Sequence, residues 1–321
     1  MLVLGLQGSP RKKGNTDILL STFLAAARQL GAATETITVV EREIQPCREY
    51  IVCEKKGFCP IKDEMNAIYT LLRRAEVVVA ASPVFFYGIT AQLKALIDRC
   101  QTLWARKYKL GLKDPLSQRR RGLLLAVAAT RGKQLFDGME LTAKYFFDGI
   151  SAQYDGCIAY RGVEARGDMA DHPTYLADMS VAAQRLVGDL KTRRRLLFLS
   201  AGDACRSQMA GAFARILAGE RLDVVTAASQ PDPAVDKAMQ AVMAEKGIDL
   251  GYLAPRGLEA VRTEGPPDTV VSLGAVDERR NFQGAESIHW DLPNPPQASM
   301  TEMRRLRDQI ETRVGQLIEQ L

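Results

Sequence analysis

Three stretches of this 321-residue chain carry side chains whose types and spacing could do chemistry. The first is Gly8-Ser9-Pro10-Arg11-Lys12-Lys13-Gly14-Asn15-Thr16, entered from an apolar run over 2–6 and left by an apolar-periodic run over 18–30. Strand, glycine-rich turn and helix in that order turn successive backbone N–H groups inward at the positive end of a helix dipole, which makes a cradle for an anion. Ser9, Asn15 and Thr16 add short donors, and Arg11, Lys12 and Lys13 add positive charge. The Gly-Lys-Ser/Thr ending of a nucleoside-triphosphate loop is missing, as is G-x-G-x-x-G, so an ordinary basic turn competes with the cradle. The second stretch holds Cys47, Cys53 and Cys59 within thirteen residues. Thiolates at that density suit a metal or an iron–sulfur cluster, although a four-iron cluster wants four ligands; partly buried thiols or a transient redox pair compete. The third, Ser200-Ala201-Gly202-Asp203-Ala204-Cys205-Arg206-Ser207, again lies between an apolar strand and a helix and reads as another anion cradle.

The composition bounds what these stretches can belong to. Hydrophobic residues make up 46% and charged residues 25%, the values of a water-soluble globular protein. Net charge is +5, but its basic runs, Arg119–Arg121 and Arg193–Arg195, each precede an apolar strand, where solvated cations at a strand entry are expected. No aromatic interleaving accompanies them, so nucleic acid is not an expected partner. No apolar run reaches bilayer length, and Met1 leads straight into a core strand, so a cytoplasmic location away from membranes is expected. The six cysteines are then thiols or metal ligands rather than structural disulfides. The two histidines, His172 and His289, are too few for a histidine-rich metal site.

The elements that must position these residues alternate. Strands are predicted over 2–6, 34–40, 76–81, 122–128 and 151–160, with helices over 18–30, 64–74, 91–104, 135–147 and 175–190. Five strands alternating with five helices call for a doubly wound parallel sheet, whose ligands bind at the carboxyl ends of the strands. Two further small-residue turns fall at such ends. One is Ser82-Pro83-Val84-Phe85-Phe86-Tyr87-Gly88, which could lie along a flat ring or could bury Phe85 and Phe86 in the core. The other is Thr130-Arg131-Gly132. A charged junction at 191–195 marks a boundary between domains 1–192 and 193–321. The second domain is smaller, with strands over 196–199, 224–229, 269–273 and 287–290 and a terminal helix over 300–321.

With these motifs in order, the first domain resembles the flavodoxin-like NAD(P)H-dependent FMN reductase family, in particular its iron–sulfur flavoprotein branch. The resemblance rests on Gly8-Ser9-Pro10-Arg11 with Gly14-Asn15-Thr16, on Ile61-Lys62-Asp63-Glu64-Met65 closing the cysteine loop, and on the 82–88 turn before Gln92-Leu93-Lys94-Ala95-Leu96-Ile97-Asp98-Arg99. It implies FMN as cofactor and NAD(P)H as co-substrate. It assigns the phosphate to Ser9, Arg11, Gly14, Asn15 and Thr16, and ring and ribityl contacts to the 82–88 turn, with Thr130-Arg131-Gly132 as a further ring contact. It also implies a homodimer. Cluster-bearing members carry Cys-x2-Cys-x2-Cys-x5-Cys; here Tyr50 stands at the second cysteine, leaving Cys47, Cys53 and Cys59 as metal ligands and the iron–sulfur cluster an open question.

The second domain resembles the low-molecular-weight tyrosine phosphatase and arsenate reductase fold. That family needs a thiolate opening a Cys-x5-Arg loop and an Asp-Pro acid. Ser200 stands at the thiolate and Asn294 at the acid, with Arg206 correctly spaced, Ser207 beside it and Cys205 matching only a secondary cysteine. Asp203 replaces a loop asparagine and is expected to put negative charge where phosphate would sit. A degenerate, catalytically inactive anion loop is therefore expected. The function implied is an FMN-dependent NAD(P)H oxidoreductase passing electrons to a small acceptor such as a quinone, a flavin or a redox protein. An iron–sulfur electron carrier, a non-catalytic redox sensor or scaffold and, least of all, an active arsenate reductase or phosphatase are the alternatives.

Overall fold

The computed structural model describes residues 1–274, 282–293 and 299–321, and they divide into two units. The first comprises Met1–Gly111 and Ser117–Lys191; the second comprises Leu112–Leu116 and Thr192–Leu321.

The first unit runs β1 (Leu2–Gln7), α1 (Asn15–Gln29), β2 (Ala33–Thr38), α2 (Val52–Lys56), α3 (Met65–Arg74), β3 (Val77–Pro83), α4 (Ala91–Arg99), α5 (Gln101–Tyr108), β4 (Arg121–Ala128), α6 (Asp137–Gly149), β5 (Gln153–Arg161) and α7 (Tyr175–Val187). Its five strands are all parallel, in the order β2-β1-β3-β4-β5. This is a flavodoxin-like, doubly wound α/β sheet. Strands β1, β3 and β4 read as nearly unbroken apolar runs because both faces are covered. One face packs on α1 and α7, where Leu20, Phe23, Leu24, Met179 and Leu186 meet Val3, Val79 and Leu125. The chain winds from β1 outward to β2 and then back across to β3, so β1 and β3 are neighbours, with Gln7 level with Ala81. The turns that follow them emerge side by side at the topological switch point.

The second unit runs β6 (Arg194–Ser200), α8 (Arg206–Ala218), β7 (Leu222–Ala228), α9 (Lys237–Glu245), α10 (Leu258–Arg262), β8 (Thr269–Leu273), β9 (Glu286–Trp290) and α11 (Met300–Gln320). Its parallel sheet has the order β7-β6-β8-β9. Phe198, Phe213, Met239 and Trp290 share a core with the apolar stripe Met303, Leu306, Ile310 and Val314 of α11. That helix starts at a capping box, with Ser299 Oγ accepting from the Glu302 N–H and Glu302 reaching back to the Ser299 N–H. Within this unit Lys113 bridges to Ile248, its N–H donating to Gly247 O at 2.7 Å.

Three local expectations are corrected. The helix expected over 91–104 is two helices meeting at Cys100, a buried residue that ends one and starts the next. The short α2 inside the cysteine loop has no counterpart in the apolar periodicity. Arginines expected to be solvated at the strand entries include buried ones. Arg120 donates to the carbonyls of Ala75, Ile150 and Arg73, and Arg193 donates to Leu222 O beside Asp223. Among the described residues no helix is long and apolar enough to cross a membrane.

Candidate functional site

The loop after β1 enters α1 through Gly14, which takes the N-cap position without a side-chain cap, so the first helical amides have no acceptor within the helix. Lys13 just before it is in the left-handed region (φ 52°), which turns the preceding N–H groups toward one side. Ser9 is folded back on the loop: its N–H donates to Gln7 Oε1 at 3.0 Å and its hydroxyl accepts from the Arg11 N–H at 3.2 Å.

Buried hydroxyls clasp this loop to the turn after β3. Thr90 Oγ1 donates to Gly8 O at 2.7 Å, and the Thr90 N–H donates to Ser82 Oγ at 3.2 Å. Gly8 must be glycine here, since a Cβ would stand 2.9 Å from Leu93 Cδ2 and 3.0 Å from Ala81 O. The 82–88 turn is a tight reversal in which Phe85 and Gly88 exchange both N–H···O bonds at 2.9 Å across Phe86 and Tyr87, both left-handed (φ 49° and 61°). Left-handed bulky residues are strained, and the surroundings must hold them there. Part of that hold is visible at Gly138, where a Cβ would come within 2.7 Å of Tyr87 O. Phe85, Phe86 and Tyr87 are all exposed, Phe86 fully, so the reading of Phe85 and Phe86 as core is overturned.

A cavity of about 180 Å³ opens between these two turns. Of the residues assigned from sequence it gathers Ser9, Arg11, Asn15, Thr16, Pro83, Val84 and Phe85. Gly14, Ser82, Phe86, Tyr87, Gly88, Thr130, Arg131 and Gly132 do not line it: Ser82 is a buried clasp, Phe86 and Tyr87 form the tip of the turn, and Arg131 lies against Gly162. Sequence reasoning missed Val127, Ala129 and the loop after β5, which brings Val163 and Glu164 to the cavity. Asn15 holds that loop. Its Nδ2 donates to Ala165 O at 2.8 Å, and its Oδ1 accepts from the N–H groups of Gly167 and Met169 at 3.0 and 3.2 Å. Asn15 thus holds this loop while lining the cavity, a role its expected part as a phosphate donor did not include. Arg11 adds a bond from Nη1 to Glu164 O at 3.2 Å. The two glycines flanking the missed loop, Gly162 and Gly167, both at positive φ, were the available sequence signal.

The cysteine loop surrounds a separate cavity of about 470 Å³, lined by Cys47, Cys53, Cys59 and Tyr50. Burial pushes the Cys53 thiol up, and the neighbouring thiols Cys59 and Cys47 add to that rise. No disulfide joins any cysteine, and among the described residues no three metal-binding side chains are gathered closely enough to hold an ion. The loop is anchored by a buried fork: Arg99 grips Asp63 at 2.6 and 3.1 Å and donates to Gln45 O at 2.8 Å. Burial works to raise the Asp63 pKa, but the Arg99 bond and the N–H groups of Gln45 and Met65 outweigh it and hold the carboxyl below its usual range.

In the second unit Ser200–Arg206 wraps a pocket of about 390 Å³ that also takes in Asp232 and Asp236. Asp203 does not point its charge into it. The residue is fully buried, and its carboxylate accepts from Ser207 Oγ (2.7 Å), Thr226 Oγ1 (3.2 Å) and the Arg256 N–H (2.9 Å). Burial nevertheless pushes its pKa up to about 6. Ser200 Oγ lies 2.9 Å from Ser207 Oγ and accepts from the Asp203 N–H at 3.1 Å. Since Ser207 donates to the carboxylate, Ser200 is the donor to Ser207, and its proton is tied up. Burial lowers the Arg206 pKa, and its Nη1 donates to Leu292 O at 3.1 Å. Cys205 packs its sulfur 3.7 Å from Met303 Sδ, with burial raising its thiol to about 12, so it is inert. Asn294 lies outside the described residues.

Fold and site together define a flavodoxin-like flavoprotein unit joined to a phosphatase-like unit. A family model described as NADPH-dependent FMN reductase matches residues 1–136, and one described as low molecular weight phosphotyrosine protein phosphatase matches residues 195–321. An iron–sulfur flavoprotein of Methanocaldococcus jannaschii is 40% identical over 103 residues, 32% of this chain and 53% of that protein. One of Methanosarcina thermophila is 33% identical over 148 residues, 46% of this chain and 72% of that protein. A putative arsenate reductase of Halobacterium salinarum is 29% identical over 128 residues, 38% of this chain and 89% of that protein. The chain spans about half of the first relative and nearly three-quarters of the second. It belongs to the FMN reductase family, in its iron–sulfur flavoprotein branch, with a low-molecular-weight-phosphatase-type second unit. FMN is the cofactor of that family and NADPH its co-substrate.

Proposed function

We propose that the first unit is an FMN-dependent NAD(P)H oxidoreductase that passes electrons to a small acceptor, and that the second unit is a pseudo-phosphatase. The observation that carries the first part is the cavity between the β1 and β3 turns, with unpaired helix-start amides at one end and Val84, Phe85, Val127 and Val163 along its sides. A polar, amide-lined end beside apolar walls suits a phosphate on a planar ring. When bound, FMN supplies the two-electron chemistry. The chain's own contribution is to seat the phosphate at the first amides of α1, Asn15 and Thr16, beside the Arg11 guanidinium, to keep the ring along the Pro83–Phe85 backbone, and to hold the loop after β5 over it through Asn15. Titration of the protein with FMN and with riboflavin tests this. FMN should bind at least tenfold more tightly, and Arg11→Ala should narrow the gap; equal affinity for both flavins would refute a phosphate cradle.

The pseudo-phosphatase part is supported by the Ser200 hydroxyl, whose proton is committed to Ser207 and which has no histidine within its hydrogen-bonding set. A hydroxyl without a base is a poor nucleophile. The protein should not turn over p-nitrophenyl phosphate or arsenate. Turnover lost on Arg206→Ala would overturn this reading.

A further inference from the structure

The pocket over Ser200–Arg206 carries positive charge at its buried floor and negative charge at its mouth. The N–H groups of Gln230, Asp232 and Asp236 donate to Ala201 O, Gly202 O and Ala204 O at 3.1, 2.9 and 2.9 Å, which occupies the loop's carbonyls. The N–H groups of Ala201, Gly202, Ala204, Cys205 and Arg206 meet no acceptor among the described residues, so the loop is left with donors. Arg206 stands with them. It is only 7% exposed, and its Nη1 gives one hydrogen bond, to Leu292 O. Among the described residues no carboxylate lies within ion-pairing distance of it. A buried guanidinium without a counter-charge is costly, and an anion in the pocket removes that cost.

The negative side is Asp232 and Asp236, which line the same cavity of about 390 Å³. Asp232 lies against the loop: a Cβ on Gly202 would stand 1.9 Å from its Oδ2, so only glycine leaves room for it. Asp232 is exposed, and its carboxylate has neither a hydrogen bond nor a cation among the described residues. Asp236 is fixed in place as the cap of α9, its Oδ1 accepting from the Met239 N–H at 2.7 Å. A plain phosphate meets these two carboxylates as repulsion; a phosphate that carries its own cation meets both ends as attraction. We propose that this pocket binds a small phosphate monoester bearing an ammonium group, its phosphate on the loop amides and Arg206, its ammonium against Asp232 and Asp236. Five amides and a guanidinium are more donors than the two oxygens of a carboxylate accept. They match the three terminal oxygens of a monoester better than the two of a diester. The Ser200 proton is committed to Ser207, so the ligand is held and not cleaved, which rests on the pseudo-phosphatase reading of this unit.

Isothermal titration calorimetry on the full chain at pH 7 tests this with three probes. They are methyl phosphate, O-phosphoethanolamine and glycerophosphoethanolamine, a diester with the same ammonium group. O-phosphoethanolamine should bind about tenfold more tightly than methyl phosphate, and also about tenfold more tightly than the diester. The double variant Asp232→Asn, Asp236→Asn keeps the helix cap, because asparagine also caps. It should close the gap between the two monoesters from both sides, weakening O-phosphoethanolamine and strengthening methyl phosphate. Arg206→Gln should weaken both monoesters about equally. Equal affinity for the two monoesters in the natural chain would overturn the proposal, as would a preference that survives the double variant. Binding of none of the probes at millimolar concentration would overturn it too. A diester bound as tightly as O-phosphoethanolamine would overturn the choice of a monoester and point to a lipid headgroup. Release of inorganic phosphate from O-phosphoethanolamine would refute the pseudo-phosphatase reading instead, and the ratio of affinities would still decide this proposal.

Discussion

Asp203→Asn should change how the stability of the second unit depends on pH. Asp203 is fully buried, and its pKa of about 6 lies above the ordinary aspartate value of 3.8. The folded state therefore binds more protons than the unfolded state between these two values. Stability from this group is complete below about pH 4 and is lost as pH rises through about 6. The gap of about two units corresponds to roughly 3 kcal/mol at neutral pH. Other carboxyls in the unit run the opposite way. Asp308 is held low chiefly by its hydrogen bond from Arg307, Glu245 chiefly by Arg304, and Glu302 chiefly by Ser299, so all three lose stability on acidification. The informative quantity is thus the difference between the natural chain and Asp203→Asn. Asparagine can accept from the Arg256 N–H with its oxygen and donate to Ser207 with its amide, so the loop should survive the exchange. Trp290 reports on this unit because it packs against Phe198, and replacing Trp104, which lies in the first unit, by Phe leaves it the sole tryptophan. Urea midpoints of the two proteins should be similar at pH 4 and differ by roughly 1–2 M at pH 7, the variant being the more stable. A constant difference across that range would refute the assignment of a raised pKa to this carboxyl.

Other expectations follow from the first unit. Arg99→Met strands a buried Asp63 carboxylate and should cost roughly 3–5 kcal/mol; combining it with Asp63→Asn should recover part of that in thermal unfolding. Asn15→Ala should release the loop after β5, weakening FMN binding about tenfold and speeding proteolysis within 164–169, with global unfolding little changed. Phe86→Gly removes left-handed strain from a fully exposed position and should raise stability by roughly 0.5–1 kcal/mol; a loss of stability would mean that the turn is not strained.

The parts of this molecule written locally were legible in its sequence. The apolar runs of β1, β3 and β4 need only their own residues to declare buried parallel strands, and the Gly8–Thr16 turn declares itself through its glycines and its place between strand and helix. What escaped depends on partners far along the chain. Asn15 looked like a ligand because a short amide at a helix start usually faces outward, yet its partners lie about 150 residues on. Asp63 and Arg99 each belong to a recognisable motif, but neither spacing reveals that they meet as a buried fork. The aromatic triplet 85–87 was ambiguous because hydrophobicity favours burial, whereas the paired bonds between Phe85 and Gly88 force Phe86 and Tyr87 to the tip of a reversal. The break at Cys100 left no trace because the apolar spacing continues through it.

Asp203 shows why a departure from a family pattern cannot be judged by charge alone. At the rim of the loop a carboxylate would repel an anion; beneath it, the same group accepts three hydrogen bonds and keeps the loop closed. The closure sets the direction of every hydroxyl above it. Asp203 takes the Ser207 proton, so Ser207 takes the Ser200 proton, while the Asp203 N–H fills a lone pair on Ser200. The same residue that preserves the form of the loop therefore removes the nucleophilic freedom of its first residue. It follows that restoring a thiol alone, in Ser200→Cys, should leave a buried sulfur in a pocket lined by Asp232 and Asp236 as well as Arg206, rather than an activated nucleophile. Its rate of alkylation by iodoacetamide at pH 7 should accordingly not exceed that of an unperturbed cysteine.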